Sequence, residues 1–153
     1  MQPQFITKPA FTVVGLRIQT QPKSPEIPHL WQQFGPRMGE VPFISEPEAS
    51  YGVMEDLNQE GRVLDYMAGM PVEKVTNLPT DMAQWDVPAN TYAVFEATLP
   101  TITEVFDHIY GSWLPTSIYH QAPGPHLEHY GKTFNPNDPT SLLSIYIPVK
   151  KKA

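Results

Sequence analysis

The spacing of apolar positions changes along the chain in a fixed order, and the order occurs twice. After Pro9, the stretch PAFTVVGLRI sets Val13, Val14, Leu16 and Ile18 in a run that predicts a strand. IPHLWQQF then places Ile27, Leu30, Trp31 and Phe34 at i, i+3, i+4, i+7, one apolar face of an amphipathic helix. Pro28 falls in the first turn, where a missing N–H is tolerated, and Gly35-Pro36 or Gly39 marks the end. Two more strands follow, SYGVME from Ser50 and VLDYMAGMPV from Val63. The second pass begins with PANTYAVFEA from Pro88, a strand opened by the same P-A-x-T as the first. ITEVFDHI repeats the helical spacing at Ile102, Val105, Phe106 and Ile109, with Thr101 or Thr103 as the cap and Glu104 at the positive end. PHLEHYG from Pro125 and SLLSIYIPVK from Ser141 supply its closing strands. MPV at Met70 and IPV at Ile147 end the two passes alike.

Each pass reads strand–helix–strand–strand. The predicted fold is therefore α+β: one domain over residues 1–153, in two pseudo-symmetric halves of about residues 5–75 and 84–150. One helix covers one face of a small sheet. Two such units related by a pseudo-two-fold axis leave a groove between the halves, the expected place for a ligand.

Composition narrows the function. Apolar residues make up 41% and aromatics 11%, enough for a packed core. The 18 prolines are scattered as loop and strand-end punctuation. A net charge of −6 argues against direct nucleic-acid binding, which wants a basic stripe; Lys150–Lys152 reads as a solubilising tail. With no cysteine there is no disulfide, thiolate zinc site or cysteine nucleophile. No signal peptide and no apolar run of membrane-spanning length is visible, so the expected setting is cytoplasmic, without a membrane partner.

The residue that carries chemistry is Glu128. Strand alternation sets His126, Glu128 and Tyr130 on one face and Leu127 and His129 on the other. A buried carboxylate needs a partner or a raised pKa, and a bound cation among aromatic rings supplies the partner. The rival readings are an exposed edge-strand Glu and a metal site built from His120, His126, Glu128 and His129. Opposed faces for His126 and His129 disfavour the metal, and no cofactor is expected. No Ser-His-Asp order, Gly-rich phosphate loop or nucleophile elbow stands out; GSWL at Gly111 is not one.

Landmarks along nearly the whole chain resemble the GyrI-like small-molecule-binding domain, also called the AraC-type effector-binding domain. They are VVGLR at Val13, IPHLWQQF at Ile27, YGV at Tyr51, DYMAG at Asp65, WDVPANTYAVF at Trp85, IYGSWLP at Ile109, LEHYG at Leu127 and IYIPVK at Ile145. The resemblance implies tandem strand–helix–strand–strand units and a groove that takes amphipathic, often cationic or aromatic, molecules. The family's glutamate in its E-x-Y strand lands on Glu128, with Tyr130 beside it. Many members are fused to DNA-binding domains. This chain begins at the first effector-domain strand, so the expectation is a stand-alone module.

Around Glu128 and Tyr130, the candidate walls are Tyr51, on the strand matching that of Glu128, and Tyr66, Tyr92, Trp113 and Tyr146. Tyr92 and Phe95 point to opposite faces, so only one of them can line the groove. Trp113 either caps the pocket or pins a loop. Trp31, Phe34 and Phe106 are assigned to the core. The expected function is non-covalent binding of an amphipathic, cationic or aromatic molecule, for sensing or sequestration. Two alternatives stand behind it. One is a hydrolase of reactive cyclopropane-type natural products with Glu128 as general acid or base. The other is a protein-interaction module of gyrase-inhibitor type.

Overall fold

The computed structural model describes residues 2–57 and 63–153. Its strands are β1 (Gln4–Lys8), β2 (Phe11–Thr20), β3 (Ser50–Asp56), β4 (Leu64–Val72), β5 (Ala83–Val87), β6 (Asn90–Ala97), β7 (Tyr119–Gln121), β8 (His126–Tyr130) and β9 (Leu143–Lys151). The helices are α1 (Glu26–Phe34), α2 (Ile102–His108) and the single turn α3 (Leu114–Thr116). Past Phe34, α1 tightens into a 3₁₀ stretch over Gly35–Glu40. The cap of the second helix lies one turn further upstream than its sequence suggested: Thr98 and Thr101 form a reciprocal capping box, and neither Thr101 nor Thr103 caps α2 with its side chain. Beyond His108 the chain widens into a π turn, Ile109–Trp113.

All strands pair antiparallel, in the order β1-β6-β9-β8-β3-β4-β2-β5, with β7 against the end of β9. The α+β class and the repeat hold, and the repeat is longer than strand–helix–strand–strand. Each half carries one further strand in front, β1 or β5, and lends it to the other half: β1 pairs with β6, and β5 with β2. Exchanging the halves leaves the strand order unchanged, which sets a pseudo-two-fold axis between β3 and β8. Pro9 matches Pro88, and Pro71 matches Pro148. Ala68 then matches Ile145; since Ala68 pairs with Gly52 and Ile145 with Glu128, Gly52 matches Glu128. These two mates are also paired directly with each other across the axis.

Short links force the sheet to curl. β1 and β2 stand six places apart in the order yet are joined only by Pro9 and Ala10, and β5 and β6 are joined likewise by Pro88 and Ala89. Six flat strand spacings come to roughly 29 Å, whereas a two-residue link reaches about 11 Å. The ends of the sheet therefore roll towards each other. Buried Trp85 and Val87 from one end, Tyr92 from the other, and Tyr51, Leu127 and Tyr146 between them fill the inner face as one cluster.

Both helices cover the other face, one per half. On α1, Leu30 and Phe34 pack over Val14, Leu16, Ala68 and Met70. On and after α2, Val105 and Ile109 pack over Ala93, Phe95, Ile145 and Ile147. Neither helix covers the centre, where β3 and β8 meet, and that uncovered floor is the candidate site.

Candidate ligand-binding site

A cavity of about 1350 Å³ opens between the helices. Its floor is Met54 from β3, Tyr66 from β4, and His126, Glu128 and Tyr130 from β8; one wall is Ile27 and Trp31 from α1, the other Ile102, Phe106 and Tyr110. The walls follow from helical spacing, since residues four apart share a face. Phe106 and Tyr110 lie parallel, 6.5 Å between ring centroids. Trp31 meets Tyr130 edge-on at 5.1 Å, and Phe134 backs Tyr130 at 4.8 Å.

Glu128 is the polar centre, only 6% exposed. Its Oε1 accepts from the Tyr66 hydroxyl at 2.7 Å and the Tyr130 hydroxyl at 3.0 Å. Tyr66 in turn accepts from Trp31 Nε1 at 2.8 Å, so the Tyr66 proton is directed at the carboxylate. Oε2 makes no hydrogen bond among the described residues, and no salt bridge among them reaches Glu128. The one Lys or Arg among the described lining residues, Lys23, is exposed.

Burial raises the Glu128 carboxyl above its ordinary value, and the two tyrosine hydrogen bonds only partly oppose this. Burial, then the neighbouring carboxylate, pushes the Tyr66 and Tyr130 hydroxyls far up, so both remain donors. Burial lowers His126 to about 4, which keeps it neutral. Its Nε2 lies 2.7 Å from Gln121 Nε2. Among the described residues the buried part of the site is thus an apolar chamber with one buried carboxyl, held in place by neutral donors.

Gly52 is what lets the acid sit there. A Cβ at this position would lie 2.5 Å from both Glu128 Oε1 and Tyr66 Oη. The Glu128–Tyr66 hydrogen bond occupies the space that a side chain on the facing strand would fill.

Of the seven residues singled out in the sequence, Glu128, Tyr130 and Tyr66 meet in this cavity. Tyr51, Tyr92 and Tyr146 do not line it. Register explains why: Gly52, not Tyr51, pairs with Glu128, so Tyr51 shares the opposite face with its partner His129, 5.1 Å away between rings. Tyr146 pairs with Leu127 on that face and packs against Tyr92 at 5.6 Å. Trp113 is drawn off by the π turn to the outer edge, against Phe95 at 5.2 Å and Phe5 at 6.4 Å. Conversely, Trp31 and Phe106, assigned to the core, are half-buried cavity walls. Their matching places in IPHLWQQF and ITEVFDHI were the available signal. Tyr110 is one helical turn beyond Phe106. Among the described residues no group of three or more His, Asp or Glu is placed to hold a metal ion.

Residues 4–149 match the family described as integron-associated effector binding protein. The chain belongs to this family. The GyrI-like character read from its landmarks holds with it. The chain is 34% identical over 152 residues to the transcriptional regulator BrlR of Pseudomonas aeruginosa, covering 97% of itself and 56% of BrlR. It thus spans about half the length of that curated relative. Two solved structures share the fold. SAV2435, solved bound to tetraphenylphosphonium, has a TM-score of 0.76 at 16% identity, covering 98% of this chain and 94% of that one. An integron cassette protein from the mobile metagenome of Vibrio cholerae has a TM-score of 0.68 at 18% identity, covering 98% and 97%.

Proposed function

We propose that this effector-binding protein captures an amphipathic organic cation between its two helices, with Glu128 as the counter-charge. One observation carries the proposal: a buried carboxyl facing the cavity among aromatic and apolar walls, one oxygen of which has no hydrogen-bond partner, and neither of which has a cationic partner, among the described residues. Leaving an acid unpaired in such a chamber is unfavourable by several kcal/mol, on the order of the effective burial penalty of an ion. A cation that arrives with its own apolar groups relieves this penalty and adds cation–π attraction of roughly 0.5–2 kcal/mol per ring. SAV2435 in complex with a lipophilic cation, and the regulator BrlR, support ligand sensing or sequestration as the role. No helix of the described residues is long and apolar enough to cross a membrane, and a cytoplasmic setting is part of the proposal.

The test is titration calorimetry with tetraphenylphosphonium and, as an isosteric anion, tetraphenylborate. The wild type should bind the cation and not the anion. Glu128→Gln should weaken the cation by about 2 kcal/mol or more, the scale for removing one member of a buried charge pair. An unchanged cation affinity in Glu128→Gln would sink the proposal. The burial-raised carboxyl with its free Oε2 also suits a general acid, which keeps a hydrolase as the second reading. Product formed from a cyclopropane-bearing alkylator in excess of the protein present would establish it.

A further inference from the structure

The pseudo-two-fold axis constrains where the ligand's charge lies. Glu128 pairs with its own repeat mate, Gly52, so the carboxyl stands at the axis and not inside either half. The cavity extends away from it in both directions. Towards the first half it is lined by Trp31 and Met70; towards the second it is lined by Phe106 and Tyr110. Trp31 and Phe106 occupy matching places in the two helices. Among the described residues, the other acidic ones that line the cavity, Glu48, Glu55, Asp56 and Asp107, are all exposed, and the one buried acid among them, Glu128, stands in the middle.

We infer that the preferred ligand is a cation whose charge is central, with apolar groups extending from it in two directions, one against each helix. The inference rests on the cation-capture reading and narrows it. A molecule with its charge at one end and a single tail pairs with Glu128 equally well. It fills only one arm of the cavity and leaves the aromatic wall of the other in water. Two molecules with the same charge and the same apolar surface should therefore bind differently according to where the charge sits.

Dihexyldimethylammonium and undecyltrimethylammonium are isomers of equal charge and carbon count with the charge at the middle or at one end, and both are titrated into the wild-type protein beside tetraphenylphosphonium. The dihexyl isomer should bind about tenfold tighter, a difference of about 1.4 kcal/mol. Trp31→Ala and Phe106→Ala should each weaken the dihexyl isomer, whereas the undecyl isomer should lose affinity with only one of them. Equal affinities, or tighter binding of the undecyl isomer, overturn the inference while leaving cation capture standing. Failure of all three cations to bind overturns both.

Discussion

Replacing Gly52 by alanine tests the central geometry most directly. The added methyl would meet Glu128 Oε1 and Tyr66 Oη at 2.5 Å, and Tyr66 Cζ at 3.1 Å. Ordinary contact lies near 3.5–4 Å, so each polar atom must retreat by about 1 Å or more. Both are side-chain tips beside an open cavity, so the fold survives, but their 2.7 Å hydrogen bond does not. A hydrogen bond to a charged group contributes roughly 1.5–3 kcal/mol, and replacing glycine by alanine in a strand returns about 0.5–1 kcal/mol. The net expectation is a destabilisation of about 1–2 kcal/mol. Urea denaturation should show it as a lowered midpoint with an unchanged m-value. The decisive measurement is a double-mutant cycle with Glu128→Ala, in which the obstructed carboxyl is gone. There only the Tyr66 tip is left to give way, into the space the carboxyl vacated, so Gly52→Ala should cost less than in the wild type, giving a coupling of about 1–2 kcal/mol. Additivity within about 0.5 kcal/mol would refute the idea that Gly52 exists to admit the carboxyl.

Further outcomes follow from the same chamber. Because burial raises the Glu128 carboxyl, a permanent cation must displace its proton at low pH; Kd for tetraphenylphosphonium should rise about tenfold per pH unit below that raised value and stay flat above it, and Glu128→Gln should abolish the slope. His126 makes stability, too, fall at low pH, for a different reason: burial lowers its folded value from 6.5 to about 4, so the unfolded chain binds protons more readily between these values. Stability should fall as pH drops from about 6.5 to 4, by up to about 3 kcal/mol, and this portion of the fall should vanish in His126→Phe. Trp31 forms a cavity wall, whereas Trp85 and Trp113 do not, so ligand should quench the emission of wild type and leave Trp31→Phe unchanged. The same variant also removes the donor to Tyr66 and should weaken cation binding by about 1 kcal/mol.

Much of this was legible before any coordinates. Helical spacing marked Leu30 and Phe34, and strand alternation placed Glu128 with His126 and Tyr130. The rest was hidden in the sequence for physical reasons. β1 is almost entirely exposed, so Gln4–Lys8 shows no apolar alternation, and its partner β6 lies far along the chain. β5 alternates at Trp85 and Val87 but is only five residues long. Tyr51 could not be assigned to a face without the register between β3 and β8. An offset of one residue decides whether Tyr51 or Gly52 faces the acid, and the identity of the strands does not reveal it. Trp31 and Phe106 sit on apolar helix stripes that serve the core along one edge and the cavity along the other, and periodicity alone does not separate the two.

The glycine opposite the acid also says something about why the two halves share one chain. Two identical half-length polypeptides could assemble around the same axis, as most homodimers do. Such a dimer must place the same residue at both central positions. Two glutamates there would crowd like charges together, and two glycines would leave the chamber without any charge. Covalent linkage of the halves frees the two positions to differ, and with them Tyr130 from its mate Met54. A single, off-centre-proof negative charge at the heart of a nearly symmetric chamber is available only to a molecule whose symmetry is imperfect.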